Sequence, residues 1–134
     1  MTVNQILAVK GKEVFSVLPS ITVYEALVNM SEKNIGAILV VENNVLIGIF
    51  SERDYARKIA LKDKSSKETL VQEIMASNVF TVKPSDNLDY CMELMYTKKI
   101  RHLPVIENDN IIGIISIGDV VKSIIDLQKE TIQY

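Results

Sequence analysis

Gly48-Ile49-Phe50-Ser51-Glu52-Arg53-Asp54 returns 65 positions later as Gly113-Ile114-Ile115-Ser116-Ile117-Gly118-Asp119, and the same offset aligns most of the chain. Without a gap, Val14-Phe15-Ser16-Val17 falls on Val79-Phe80-Thr81-Val82, Pro19-Ser20 on Pro84-Ser85, Met30 on Met95, Ile35 on Ile100, and Glu42-Asn43 on Glu107-Asn108. Roughly a third of the aligned positions are identical, and many others exchange one aliphatic residue for another. The chain is an internal duplication, so whatever unit one copy forms, the other must form too.

Each copy is predicted to run β-α-β-β-α. Residues 14–17 are a short β-rich run ended by Leu18-Pro19, since proline removes a ladder donor. Val23, Ala26, Leu27 and Met30 then recur at helical spacing behind Ser20 or Thr22, either of which can cap. Leu88, Cys91, Met92 and Met95 repeat the stripe behind Ser85-Asp86. Strands over 37–41 and 45–50 meet at Glu42-Asn43-Asn44, where asparagine tolerates the positive φ of a tight turn. Strands over 103–106 and 111–115 repeat that hairpin, and closing helices follow Ser51 and Ser116. Residues 62–69 are charged and small, as in an exposed connection, and Leu70, Val71, Ile74 and Met75 suggest a short helical turn after it.

The copies divide as 1–65 and 66–134. Neither has enough helix to cover both faces of a three-stranded sheet, so an α+β fold is expected in which the two pack with pseudo-two-fold symmetry. Val120, Val121, Ile124, Ile125 and Leu127 spread over more than one narrow stripe of the last helix. That surplus predicts a homodimer.

A chain of 134 residues with 48% hydrophobic content can bury a real core. A net charge of −2 without a basic block argues against a nucleic-acid footprint. The apolar runs are strand-sized and the N-terminus lacks a basic-then-apolar signal, so a soluble, unprocessed, cytoplasmic protein with no membrane partner is expected. The single cysteine, Cys91, forms no internal disulfide and reads as a buried core thiol. One histidine and one cysteine do not make the usual metal cluster, and no metal is predicted.

Ser-x-x-Asp opening a helix is first of all a capping-box variant, with the acid also favoured by the helix dipole. The repeated pair has a second use. Ser51 and Asp54 lie on one side of a first turn directly after a strand, as do Ser116 and Asp119. A carboxylate offers two acceptor oxygens to the hydroxyls of a ribose diol, and a hydroxyl at a helix N-terminus can receive phosphate. Gly48 and Gly113 sit within strands, where glycine permits close approach of another backbone or a flat ring.

The duplicated unit, with "IGAILVV" and "IRHLPVI" before the hairpins and "GIFSERD" and "GIISIGD" after them, resembles the paired cystathionine-β-synthase (CBS) domains, or Bateman module, over nearly the whole chain. The resemblance implies a disc-like homodimer and, in the crevices between its two repeats, sites for adenosine-containing ligands: AMP, ADP, ATP, NAD or S-adenosylmethionine. It implies one site at Ser51 and Asp54, with Arg53 a phosphate partner and Ile100 and the segment from Met75 to Phe80 enclosing the base. It implies another at Ser116 and Asp119, with Arg101 and His102 toward phosphate and Ile35, Gly36 and Ala37 around the adenine. Because Gly36-Ala37 stands where the second copy has Arg101-His102, the two sites should not be equivalent.

The function expected is a non-catalytic sensor that needs no cofactor, binds an adenine nucleotide and shifts its conformational population for an unidentified regulated partner. Two alternatives stay open. One is a dimeric scaffold whose Ser-x-x-Asp pairs only cap helices. The other is a nucleotide hydrolase with Asp54 or Asp119 as base and His102 as acid, although no nucleophile–base–orienter set or phosphate loop is legible.

Overall fold

The hairpins show the duplication most directly. In a computed structural model, which describes residues 1–132, β2 (Ala37–Glu42) pairs with β3 (Val45–Ser51), and β4 (His102–Glu107) with β5 (Asn110–Ser116), both antiparallel. Asn43 and Asn44 have φ of 52° and 63°, and Asn108 and Asp109 of 52° and 64°, the left-handed pair that a two-residue turn needs and that asparagine and aspartate tolerate. Each ladder slips once, between Val40 and Val41 and between Val105 and Ile106, the same place in both copies. Such a bulge adds twist to the hairpin. Ahead of the first hairpin, β1 (Ser16–Val17) lies parallel to β2; its counterpart in the second copy is a single parallel bridge from Val82 to Val105.

The helices before the hairpins begin and end alike. Thr22 accepts from the Glu25 N–H to cap α2 (Val23–Lys33), and Asn87 accepts from the Tyr90 N–H to cap α5 (Leu88–Lys98). In the second copy the cap is thus Asn87, at the position of Thr22, and not Ser85 or Asp86; Asp86 instead accepts from the Lys83 N–H. Asn34 and Lys99 end the helices in the left-handed region. Val23, Ala26 and Met30 bury one stripe, and Leu88, Cys91 and Met95 the other. Burial first, then the charge of Asp86, pushes the Cys91 thiol up to about 11, so it stays protonated as a core residue.

The chain groups into two compact units: Phe15–Val79, called the first, and Met1–Val14 with everything from Phe80 on, called the second. These spatial units do not coincide with the sequence segments 1–65 and 66–134, because residues 1–14 group with the second and 66–79 with the first. Helix α1 (Val3–Lys10), which has no counterpart in the sequence-based reading, opens on a Thr2–Gln5 capping box and buries Val3, Ile6 and Leu7 in the second unit. Its N–H groups at Val3 and Asn4 donate to the carbonyls of Asp86 and Pro84. In the first unit, α4 (Val71–Ile74) does the same: Val71 and Gln72 donate to Ile21 and Pro19, the equivalent positions. α1 thus closes the core of the second unit from the far end of the chain, and α4 closes the core of the first.

The strand glycines exist for these straps. A Cβ at Gly48 would stand 2.4 Å from the Met75 sulfur, and one at Gly113 2.8 Å from a methyl of Leu7. The backbone approach expected at such glycines occurs only at Gly48, where the Ala76 carbonyl is 3.1 Å from the added Cβ; at Gly113 the neighbour is the Leu7 side chain. The connecting residues 62–68 are largely exposed, but Thr69 is buried, its hydroxyl donating to the Ser65 carbonyl. The closing helices differ. In the first unit α3 (Glu52–Tyr55) continues as a π-helical turn over Ala56–Ala60, whereas α6 (Ile117–Ile132) is regular.

Candidate functional site

Both Ser-x-x-Asp pairs form complete capping boxes. Ser51 Oγ accepts from the Asp54 N–H (3.1 Å), while Asp54 Oδ2 accepts from the Ser51 N–H (3.0 Å) and hydroxyl (3.1 Å). At Ser116 and Asp119 the same three distances are 3.2, 2.7 and 3.0 Å. The capping role is therefore present in both copies, and any ligand role is additional to it.

Each carboxylate also meets a lysine, by different routes. Lys58, one turn along the closing helix, holds its Nζ 3.3 Å from Asp54 Oδ1 and donates to the Ile74 carbonyl at the end of α4. The equivalent position in the second copy is Ser123, whose hydroxyl bonds back to the Asp119 carbonyl. There the cation comes from α1: Lys10 Nζ is 2.7 Å from Asp119 Oδ2 and donates to the Ile114 carbonyl. The side chains of Asp54 and Asp119 keep 19% and 21% of their surface, enough for a ligand to reach. Oδ1 of Asp119 makes no hydrogen bond among the described residues.

Burial opposes ionisation of Asp119, but the hydrogen bond from Lys10, the Ser116 N–H and hydroxyl, and the Lys10 charge together outweigh it and hold the carboxyl below the usual range. For His102, burial acts first and the Lys10 and Arg101 charges add to it, overriding the attraction of Asp119, so its pKa is lowered and the ring is neutral near pH 7. The positive charge expected of Arg101-His102 thus belongs to Arg101, and Lys10 supplies another at Asp119.

The residues before each hairpin flank the acid of their own unit. The Glu52 N–H donates to the Gly36 carbonyl and Ala37 pairs with Ser51; the Ile117 N–H donates to the Arg101 carbonyl and His102 pairs with Ser116. Ile35, Gly36 and Ala37, expected around a ligand at Asp119, are in the Asp54 unit; Ile100 and Phe80, expected at Asp54, are in the Asp119 unit. Ile35 and Ile100 pack against their respective cores. Phe80 lies under Lys98, with Nζ 5.2 Å from the ring centroid, and Met75 is engaged with Gly48. Arg53 is exposed on α3 and makes no ion pair among the described residues.

Two cavities accompany these groups. One of about 550 Å³ in the first unit lies between the end of α2 and the start of α3, against Met30, Asn34, Gly36, Glu52 and Tyr55. One of about 300 Å³ in the second lies between α1 and α6, where Gln5, Val9 and Lys10 face Asp119 and Lys122. Among the described residues no His, Cys, Asp and Glu side chains gather as a metal site, and no helix is long and apolar enough to cross a membrane.

The CBS domain family model matches residues 7–61 and again residues 71–126. The chain belongs to the CBS-domain family. It carries two CBS domains, and CBS-domain pairs are regulatory modules in other members. A solved structure, that of a putative signal-transduction protein with CBS domains from Burkholderia ambifaria MC40-6, is 48% identical and superposes with a TM-score of 0.91, covering 94% of this chain and 95% of that one. The CBS domain-containing protein CBSX3, mitochondrial, of Arabidopsis thaliana is 43% identical over 117 residues, 84% of this chain; the chain spans 57% of that relative's length. The CBS-domain pair of protein MJ0100, solved with 5′-methylthioadenosine and S-adenosyl-L-methionine, shares the fold at a TM-score of 0.83 and 24% identity, covering 95% of this chain and 98% of that one.

Proposed function

We propose that the chain is a non-catalytic regulatory module that binds an adenine nucleotide, AMP, ADP, ATP or NAD, through the Ser-x-x-Asp ends of its CBS domains and signals the bound state to a partner protein. The observation that carries this reading is Asp119: an ionised, partly exposed carboxylate with an open oxygen, at a cavity edge shared with Lys10. An acceptor of that kind suits ribose hydroxyls, and the cations beside it suit phosphate. The two adenosine-bearing ligands of the MJ0100 pair support an adenosine class. The hydrolase alternative finds no support in His102, which is held neutral and makes no hydrogen bond to Asp119 among the described residues.

The module is proposed to act as a homodimer through α5 and α6. Ile117, Val121 and Ile125 recur every fourth residue on α6 and are exposed, as are Met92 and Tyr96 on α5, which packs against it.

The scaffold alternative rests on the complete capping boxes, which give both acids a task without ligand. Melting curves with AMP, ADP, ATP and NAD separate the two. A ligand at about a hundred times its dissociation constant adds about 2.7 kcal/mol of stability, a clear upward shift. Chromatography of the recovered nucleotide should show it unchanged; turnover would reveal an enzyme, and no shift with any of the four would favour the scaffold.

A further inference from the structure

The lysine at Asp119 is placed to do more than neutralise it. Asp119 Oδ2 already receives the Ser116 N–H, the Ser116 hydroxyl and the Lys10 ammonium, so it has no capacity left. Oδ1 remains open. The ammonium has three N–H groups, and the Asp119 carboxylate and Ile114 carbonyl occupy two. An acceptor and a cationic donor with no further partner among the described residues therefore stand side by side at a cavity of about 300 Å³, whose lining also carries Lys122 and Asp126. A hydroxyl suits the first and an anion the second, the two groups that a nucleoside phosphate carries next to each other.

We propose that Lys10 is a ligand-contacting residue of the Asp119 site and makes that site select phosphate-bearing nucleotides over the uncharged nucleoside. This rests on the nucleotide reading above. Lys10 is only 30% exposed and tied at two points, so its charge is preorganised and poorly screened. The first unit has no equivalent. Its strap matches α1 at Val71 for Val3 and Met75 for Leu7, but α4 ends at Ile74 and the chain is extended at Met75, so that strap has no helical position corresponding to Lys10. The cation there is Lys58 instead, from the closing helix, and it lies farther from its acid. Strand sequence alone places the difference between the sites at Arg101-His102; α1 adds a second source.

The test is calorimetric titration of AMP and of adenosine into the protein and its Lys10→Met and Lys10→Arg variants, all carrying Asp54→Ala so that the Asp119 site is read. Lys10→Met should lose about tenfold in AMP affinity, about 1.4 kcal/mol, with adenosine changed less than about twofold. Lys10→Arg should keep the AMP preference. Should Lys10→Met fail to fold, Lys10→Gln, which can still donate to Asp119 and Ile114, gives the same readout without charge. An AMP-to-adenosine ratio unaltered by removing the charge overturns the Lys10 assignment alone, as does a parent without preference for AMP. Binding of neither compound by the parent and by wild type overturns the nucleotide reading and this inference with it.

Discussion

Leu7 lies directly over Gly113, its two methyl carbons 2.8 and 2.9 Å from where a Cβ on residue 113 would stand. Leu7 is itself fully packed, so an added methyl has to displace a buried side chain. Gly113→Ala should therefore cost about 1–3 kcal/mol in urea unfolding. In a Leu7→Ala background the same change should cost much less, because the clash is gone. Equal costs in both backgrounds would show that the glycine serves something other than the strap.

Gly48→Ala should also destabilise, for a partly different reason. The Met75 thioether can swing aside, but the Ala76 carbonyl, 3.1 Å from the new Cβ, is pinned by its hydrogen bond from Ile49. Met75→Ala should thus rescue Gly48→Ala only in part, whereas Leu7→Ala rescues Gly113→Ala almost fully. Chemical unfolding of the four single and two double variants measures the contrast.

How much of this was legible in the sequence follows from the range of the interactions. The hairpins were, because Asn43-Asn44 and Asn108-Asp109 announce positive φ locally and alternate with β-rich runs. The Ser-x-x-Asp caps were, because the motif closes on itself within one turn. Helix α1 was not: its stripe of Val3, Ile6 and Leu7 is short, and its partners, Pro84 and Asp86, lie some eighty positions away. The Lys58–Asp54 pair could have been found from its i,i+4 spacing, but Lys10–Asp119 carries no local signal. The neutral state of His102 likewise depends on burial and on Lys10, neither visible along the chain.

Asp119→Asn should lower stability at pH 7, and the deficit should shrink in acid. The folded state lowers this carboxyl's pKa, so its contribution is complete above the unfolded value and is lost as pH falls through the folded one. Urea unfolding of both proteins from pH 7 to pH 3 reads the convergence. A deficit independent of pH would mean that the charge of Asp119 contributes nothing to the fold.

His102 gives a pH dependence higher on the scale. Its folded pKa lies below the unfolded value of about 6.5, so between the two the unfolded chain binds more protons and stability falls as pH falls. His102→Gln should flatten the stability profile over that window and leave it unchanged above about pH 7. A profile as steep in the variant as in wild type would place the titrating group elsewhere.

The exposed face of α6 tests the assembly. Val121 and Ile125 keep 48% and 45% of their surface, and Val121→Glu with Ile125→Glu would place two like charges in a face proposed to meet its own copy. Light scattering should give a dimer for wild type and a monomer for the double variant, with the melting temperature little changed. A monomeric wild type at micromolar concentration, with or without AMP, would refute this use of the face.

Titration of AMP into wild type and into Asp54→Ala/Asp119→Ala by calorimetry tests the central claim most directly. Wild type should bind AMP and return it chemically unchanged. The double variant should bind at least about tenfold more weakly, since each replacement removes a charged acceptor worth about 1.5–3 kcal/mol. It should also melt somewhat lower, because both capping boxes are lost. Unchanged AMP affinity in a double variant that melts lower would contradict the account, leaving both acids as helix caps alone.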